Sequence, residues 1–218
     1  MNINDQVLAF GELSHDLLFH KIPAEKYMYY IDRSIKEGIS AARQYIRRDI
    51  RSLYMEKNIE IRYADGSSAF LGIRFRAQFH LGKKKSSVTI YRNSLAELAK
   101  MSSLEGGGQL TYEKALDIHL CHEFFHYHEY ITGKAVSETL DPVVTLKLPF
   151  FTRKANISRC SEIAAHAFSK QMLGLEYMPN IYDYIYLMHT KQLPPDYLQA
   201  LVKRFQIETK GGRCHIHK

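Results

Sequence analysis

Two histidines four residues apart, with a glutamate directly after the first, are the residues of this chain best placed to do chemistry: His122-Glu123-Phe124-Phe125-His126. Four residues turn a helix through about 400°, so His122 and His126 stack on one face. Two imidazoles at that separation can grip one tetrahedral metal ion at about 2.0–2.1 Å each. Glu123, one step on, is offset so that it reaches a water on the metal rather than the metal itself. With zinc lowering the pKa of that water, Glu123 can take its proton and later pass it to a leaving amine. Composition alone would produce the pattern roughly 0.04 times in a chain of this length. The bland alternative is a histidine-rich surface helix, since His119 and His128 lie nearby. Leu116, Leu120, Phe124, Tyr127 and Ile131 argue against it, because such large apolar residues predict burial of the opposite side.

A catalytic zinc wants a third protein ligand. The extended pattern H-E-x-x-H-x-x-G-x-x-H is absent, with Glu129 and Thr132 at the positions of its Gly and last His. A later carboxylate is therefore required. Glu162, one turn into a predicted helix, is the best candidate; Glu138 and Asp141 are the alternatives, but a loop orients a ligand less firmly. The small neighbours Ala164, Ala165 and Ala167 would let this helix pack closely on the metal helix, with Phe168 and Met172 as its apolar face.

The elements that must position these groups follow from periodicity. Ile31, Ile35, Ile39, Ala42, Ile46, Ile50 and Leu53 predict one long helix from Ala24 to about Lys57, with Arg43, Arg47 and Arg51 as a basic stripe on another face. That stripe reads as a solvated face, with an acidic or nucleic-acid partner as the alternative. Ile59–Tyr63, Leu71–Leu81 and Ser87–Arg92 predict three short strands, separated by turns at Asp65-Gly66 and Gly82–Ser86, in a small, mainly antiparallel sheet laid against the long helix. Ser94 and Glu97 suggest a capping box for a helix over Leu95–Met101. The glycine triplet 106–108 lacks a following Gly-Lys-Ser/Thr and reads as a connector. The metal helix is expected over 111–132, irregular or partly extended chain over 134–157, the Glu162 helix over 158–173, and two short helices either side of Pro194-Pro195. The expected organisation is α+β: an N-terminal arm or short helix (1–22), a catalytic domain (23–175) and a helical extension packed on it (176–218).

Composition sets wider bounds. The chain has 218 residues, 45% hydrophobic and 24% charged, as in an ordinary globular protein. No apolar stretch approaches the roughly 20 residues of a membrane span, and the first residues lack the order of a signal peptide. Cys121, Cys160 and Cys214 are too few and scattered for a disulfide framework, and Cys121 points about 100° away from His122. A cytoplasmic location with reduced thiols is the expectation. The net charge of +7 permits an acidic partner without naming one.

The motif His122-Glu123-Phe124-Phe125-His126 followed by Glu162-Ile163-Ala164-Ala165-His166-Ala167-Phe168-Ser169 resembles the ImmA/IrrE metallopeptidases, which carry H-E-x-x-H and then a helix of the form E-x-E-A-N-x-F-A. The order of a long helix, a small sheet with a Leu-Gly (Leu71-Gly72) and a strand before the metal helix is similar too. The resemblance implies a zincin-like fold over roughly residues 25–175, Zn2+ on His122, His126 and Glu162, and Glu123 as catalytic base. It further implies a specific protein substrate, often a transcriptional repressor, and a strand edge near Val88–Tyr91 that holds substrate by strand addition. Two residues depart from the pattern: Ala164 replaces a Glu, and His166 stands where the family has Asn. One turn from Glu162, His166 could donate a hydrogen bond at the site. Tyr182, Tyr184, Tyr186 and His189 are further candidates to stabilise an oxyanion. The competing expectation is a catalytically silent protein whose basic surface holds a protein or nucleic-acid partner; a zinc peptidase of broad specificity is a third.

Overall fold

Residues 1–22, expected as an arm or short helix, contain helix α1 (Asp5–Ser14), and its Val7, Leu8, Phe10 and Leu13 lie in the hydrophobic core. The computed structural model describes residues 3–65, 69–70, 73–82, 85–102 and 110–211. Leu71-Gly72, the glycine triplet and Cys214 lie outside the described residues, as does Gly66 of the predicted Asp65-Gly66 turn.

The long helix predicted over 24–57 is broken into α2 (Tyr27–Ala42) and α3 (Ile50–Glu56). Between them Arg47 adopts a left-handed backbone (φ 67), and Asp49 caps α3 by accepting from the Ser52 amide at 2.8 Å. The helical spacing runs through the break because Ala42, Tyr45, Ile50 and Leu53 all turn into one core; the local signal for the break is the capping Asp49. The basic stripe dissolves with the helix. Arg43 ends α2, Arg47 sits in the turn, and Arg51 is ion-paired with Glu113 and Asp117.

The chain then forms β1 (Glu60–Ala64), a short antiparallel pair β2 (Ala69–Phe70) and β3 (Ile73–Arg74), then β4 (Ala77–His80) and β5 (Ser87–Tyr91). The three-stranded sheet has the order β1-β5-β4, with β1–β5 parallel and β4–β5 antiparallel. It is mixed, not mainly antiparallel. The reason is which strand takes the middle: β5 carries the fully buried Val88 and Ile90, so it sits between the more exposed β1 and β4. Residues 88–91 are therefore central, and β4 supplies the edge that had been expected from them. The sheet packs chiefly on the helix that carries His122 and His126, with α3 beside β1, rather than on α2.

Helix α4 (Arg92–Met101) begins directly after β5, so Ser94 is buried inside it and the Ser94–Glu97 capping box does not form. Helix α5 (Tyr112–Thr132) starts where Thr111 accepts from the Lys114 amide at 3.1 Å and stops at left-handed Gly133. A turn of helix, α6 (Val136–Thr139), leads into the hairpin β6 (Val143–Leu148) and β7 (Phe151–Ala155). Next come α7 (Arg159–Leu173), ended by left-handed Gly174, then α8 (Asn180–His189) and α9 (Tyr197–Gly211). The described residues are thus α+β, with nine helices, the mixed sheet and the β6–β7 hairpin. Ile181, Leu198 and Leu201 join α8 and α9 to the same core as α1. No helix among the described residues is long and apolar enough to cross a membrane.

One contact decides how close α7 comes to α2. Gly38 lies against Ala164, where a Cβ on Gly38 would sit 2.1 Å from the Ala164 carbonyl oxygen. Glycine is required there, and backbone meets backbone. In the centre of the molecule Phe124 of α5 packs against the rings of Tyr45, Tyr54 and Phe168, which locks α5 to α7.

Candidate metal centre

His122 and His126 project from the middle of α5, where one helical turn brings their Nε2 atoms to 3.2 Å of each other. Glu162, in the first turn of α7, enters from the side: its Oε2 is 3.2 Å from His122 Nε2 and its Oε1 is 3.6 Å from His126 Nε2. Among the described residues these three form the group of His, Cys, Asp and Glu side chains able to hold one metal ion. Ligands at about 2.0–2.1 Å around a tetrahedral zinc are separated by about 3.3–3.4 Å, so the observed triangle fits such an ion. The set of two imidazole nitrogens and one carboxylate suits zinc by its chemistry as well. Glu138 is exposed, and Asp141 is an exposed partner of Lys26 at 2.8 Å; neither approaches the histidines.

The electrostatics follow from burial and proximity. Burial alone would raise the Glu162 carboxyl, but the hydrogen bond and charge of His122, with His126 and His166 beyond, hold it well below the usual carboxylate range. Burial alone would lower His122, but Glu162, Glu123 and Glu12 outweigh it and lift its pKa to about 9.

Glu123 stays outside the triangle. Its Oε2 accepts from the Phe79 amide of β4 at 2.9 Å. Tyr91 N–H donates to the Arg76 carbonyl across the sheet, so by alternation the amides of Ala77 and Phe79 point away from β5. The outer edge of the sheet therefore faces the candidate base directly. A cavity of about 360 Å³ opens here, bounded by Glu12, His119, His122, Glu123, Glu162 and His166.

Sequence reasoning passed over two carboxylates at this site. Glu129, noted only for failing to be a glycine, is buried and accepts from His126 Nδ1 at 3.2 Å, the Val136 amide at 2.7 Å and Ser161 Oγ at 2.8 Å. A proton on Nδ1 leaves Nε2 bare and aimed at the metal position. Glu12 comes from α1; it is buried, raised by that burial, and bonded to Arg159 at 2.7 Å. A lone carboxylate inside the apolar run Val7–Leu13 was the available signal.

His166 lies within the cavity, its ring 4.8 Å from that of His122 and its Nε2 4.0 Å from Glu12; its buried Nδ1 has no hydrogen-bond partner. Of the four oxyanion candidates, Tyr182 and Tyr184 line the cavity, and the buried Tyr184 hydroxyl has no hydrogen-bond partner. Tyr186 bonds Glu97, and His189 is exposed. Cys121 is a buried core residue whose thiol burial pushes up, and Cys160 is pushed up to about 12 in the same way. Ile131, expected on the buried side of α5, is exposed.

No protein-family model, curated protein or solved structure matches the chain.

Proposed function

We propose that this chain is a zinc-dependent peptidase, with the metal on His122, His126 and Glu162 and Glu123 as general base. The observation that carries this is the triangle of His122 Nε2, His126 Nε2 and Glu162 carboxylate. Beside it stands a carboxylate that belongs to no ligand set. When bound, zinc would supply a Lewis acid for a peptide carbonyl and acidify a water. Glu123 would take the proton of the attacking water and return it to the leaving amine. Its Oε2 accepts from the Phe79 amide while its other oxygen keeps the capacity to take that proton, and the outer edge of β4 beside it would hold a substrate backbone by strand addition. Tyr184 and His166 both line the cavity and are the groups nearest to hand to donate to a developing oxyanion. The helix Glu162–Ser169 supports kinship with the ImmA/IrrE peptidases and a zincin-like arrangement. That kinship points to a specific protein substrate such as a transcriptional repressor.

The test compares zinc-loaded wild type with Glu123→Gln by mass-spectrometric mapping of new termini in a cell extract. Equal zinc content, with discrete cleavages made by wild type alone, is the expected result. A chain that takes up no zinc removes the metal site. Zinc-loaded wild type that cuts nothing more than Glu123→Gln removes the peptidase and leaves a binding protein.

A further inference from the structure

The β6–β7 hairpin departs from the rest of the surface. A two-stranded ribbon alone is only marginally stable in water, and of its apolar side chains Val143 is the one that reaches the core. Leu146, Leu148 and Phe151 are about half exposed, and Phe150 at the tip is fully so, at 102%. Between residues 143 and 155 there are three cations, Lys147, Arg153 and Lys154, and no acidic residue. The order from the tip inward matters. Phe150, Leu148 and Phe151 come first; Lys147 follows one residue pair further back and Arg153 two, since Leu148 pairs with Phe151, Lys147 with Thr152 and Leu146 with Arg153. Strand β6 packs on the turn Phe19–Lys21, which carries two further basic residues, His20 and Lys21.

We propose that this hairpin docks the protein on an anionic phospholipid surface, with Phe150, Leu148 and Phe151 entering the acyl boundary and Lys147, Arg153 and Lys154 meeting the phosphates. The depth order of apolar tip and then cations is that of hydrocarbon and then headgroup. The tip is convex, so it has no pocket of its own to receive a partner's side chain, whereas a fluid bilayer conforms to it. The charge is complementary to anionic lipid and is concentrated where the apolar residues are. Docking by this hairpin is independent of the metal site and of any peptidase activity.

The experiment is co-sedimentation of the full chain with vesicles of phosphatidylcholine alone and of phosphatidylcholine with phosphatidylglycerol. Wild type should sediment with the anionic vesicles, less so as salt rises, and weakly with neutral ones. Phe150→Ser should reduce partitioning about ten-fold or more, and Lys147→Glu about five-fold or more. Phe150 and Lys147 are exposed, so melting temperature and zinc content should not move, which separates a docking defect from misfolding. Absence of sedimentation, or sedimentation that both variants leave unchanged, would overturn the proposal. So would a solution dimer that Phe150→Ser dissolves while vesicles are ignored, because a second copy would then be the occupant.

Discussion

Replacing Gly38 by alanine should reach the metal site from the far side of α7. The added Cβ would lie 2.1 Å from the Ala164 carbonyl oxygen, and ordinary contact begins at 3.4 Å, so α2 and α7 must separate by 1.3 Å at this point. Neither neighbour can rotate away, because both are backbone. Overpacking of a core costs about 1–3 kcal/mol and occasionally more; a clash between two helix backbones belongs at the upper end. The higher helix propensity of alanine offsets about 1 kcal/mol of that. A net loss of about 2 kcal/mol corresponds to a fall in melting temperature of roughly 4–8 °C for a chain of this size. Glu162 sits two residues before Ala164 on α7, and its oxygens are 3.2 and 3.6 Å from the two histidine nitrogens. A helix shift of this order would open the triangle, so zinc affinity should fall together with stability. Calorimetric melting and zinc titration against a chelator measure the two effects. The control is Gly133→Ala, where the backbone is left-handed (φ 62) but a Cβ meets nothing within 4 Å; it should cost about 1 kcal/mol and leave zinc binding alone. Gly38→Ala with wild-type stability and zinc affinity would refute the claim that this contact sets the position of Glu162.

Glu129→Gln should weaken zinc binding about 10–100-fold, because it disturbs the acceptor that holds His126 Nδ1; unchanged affinity in the same titration would show that Glu129 serves the fold alone. A second expectation concerns acid. Burial, with Arg76 nearby, pushes His119 down to about 4. The unfolded chain takes up that proton near pH 6.5 while the folded chain resists it, so stability should drop as pH falls from about 6.5 to 4, by up to about 3 kcal/mol from this group. Urea titrations across that range should show a shallower slope for His119→Gln than for wild type, and parallel curves would count against a buried neutral imidazole.

The residues of the candidate metal centre on α5 were legible without coordinates because their order is local. His122, Glu123 and His126 occupy one turn and a step of a single helix, and 3.6 residues per turn fixes which share a face. Thr111 at the start of α5, Gly133 and Gly174 at helix ends, and Pro194-Pro195 between α8 and α9 are likewise local signals, and the elements stand where those residues put them. Glu162 was readable as a candidate from its setting in an alanine-rich helix, but Glu138 and Asp141 stayed open, since spacing along a chain does not measure distance across a fold.

What tertiary structure alone decided is wherever two distant segments compete or meet. Helical periodicity could not expose the break between α2 and α3, because both pieces bury the same kind of face in the same core. Alternation identified three strands but not which would lie in the middle, and with β5 there the sheet became mixed and the free edge passed to β4. Glu12 and Glu129 needed the approach of α1 and the Val136–Ser161 region to become part of the site. A buried carboxylate acquires its role from the donors around it, and those donors are supplied by chain packing, which periodicity and spacing do not encode.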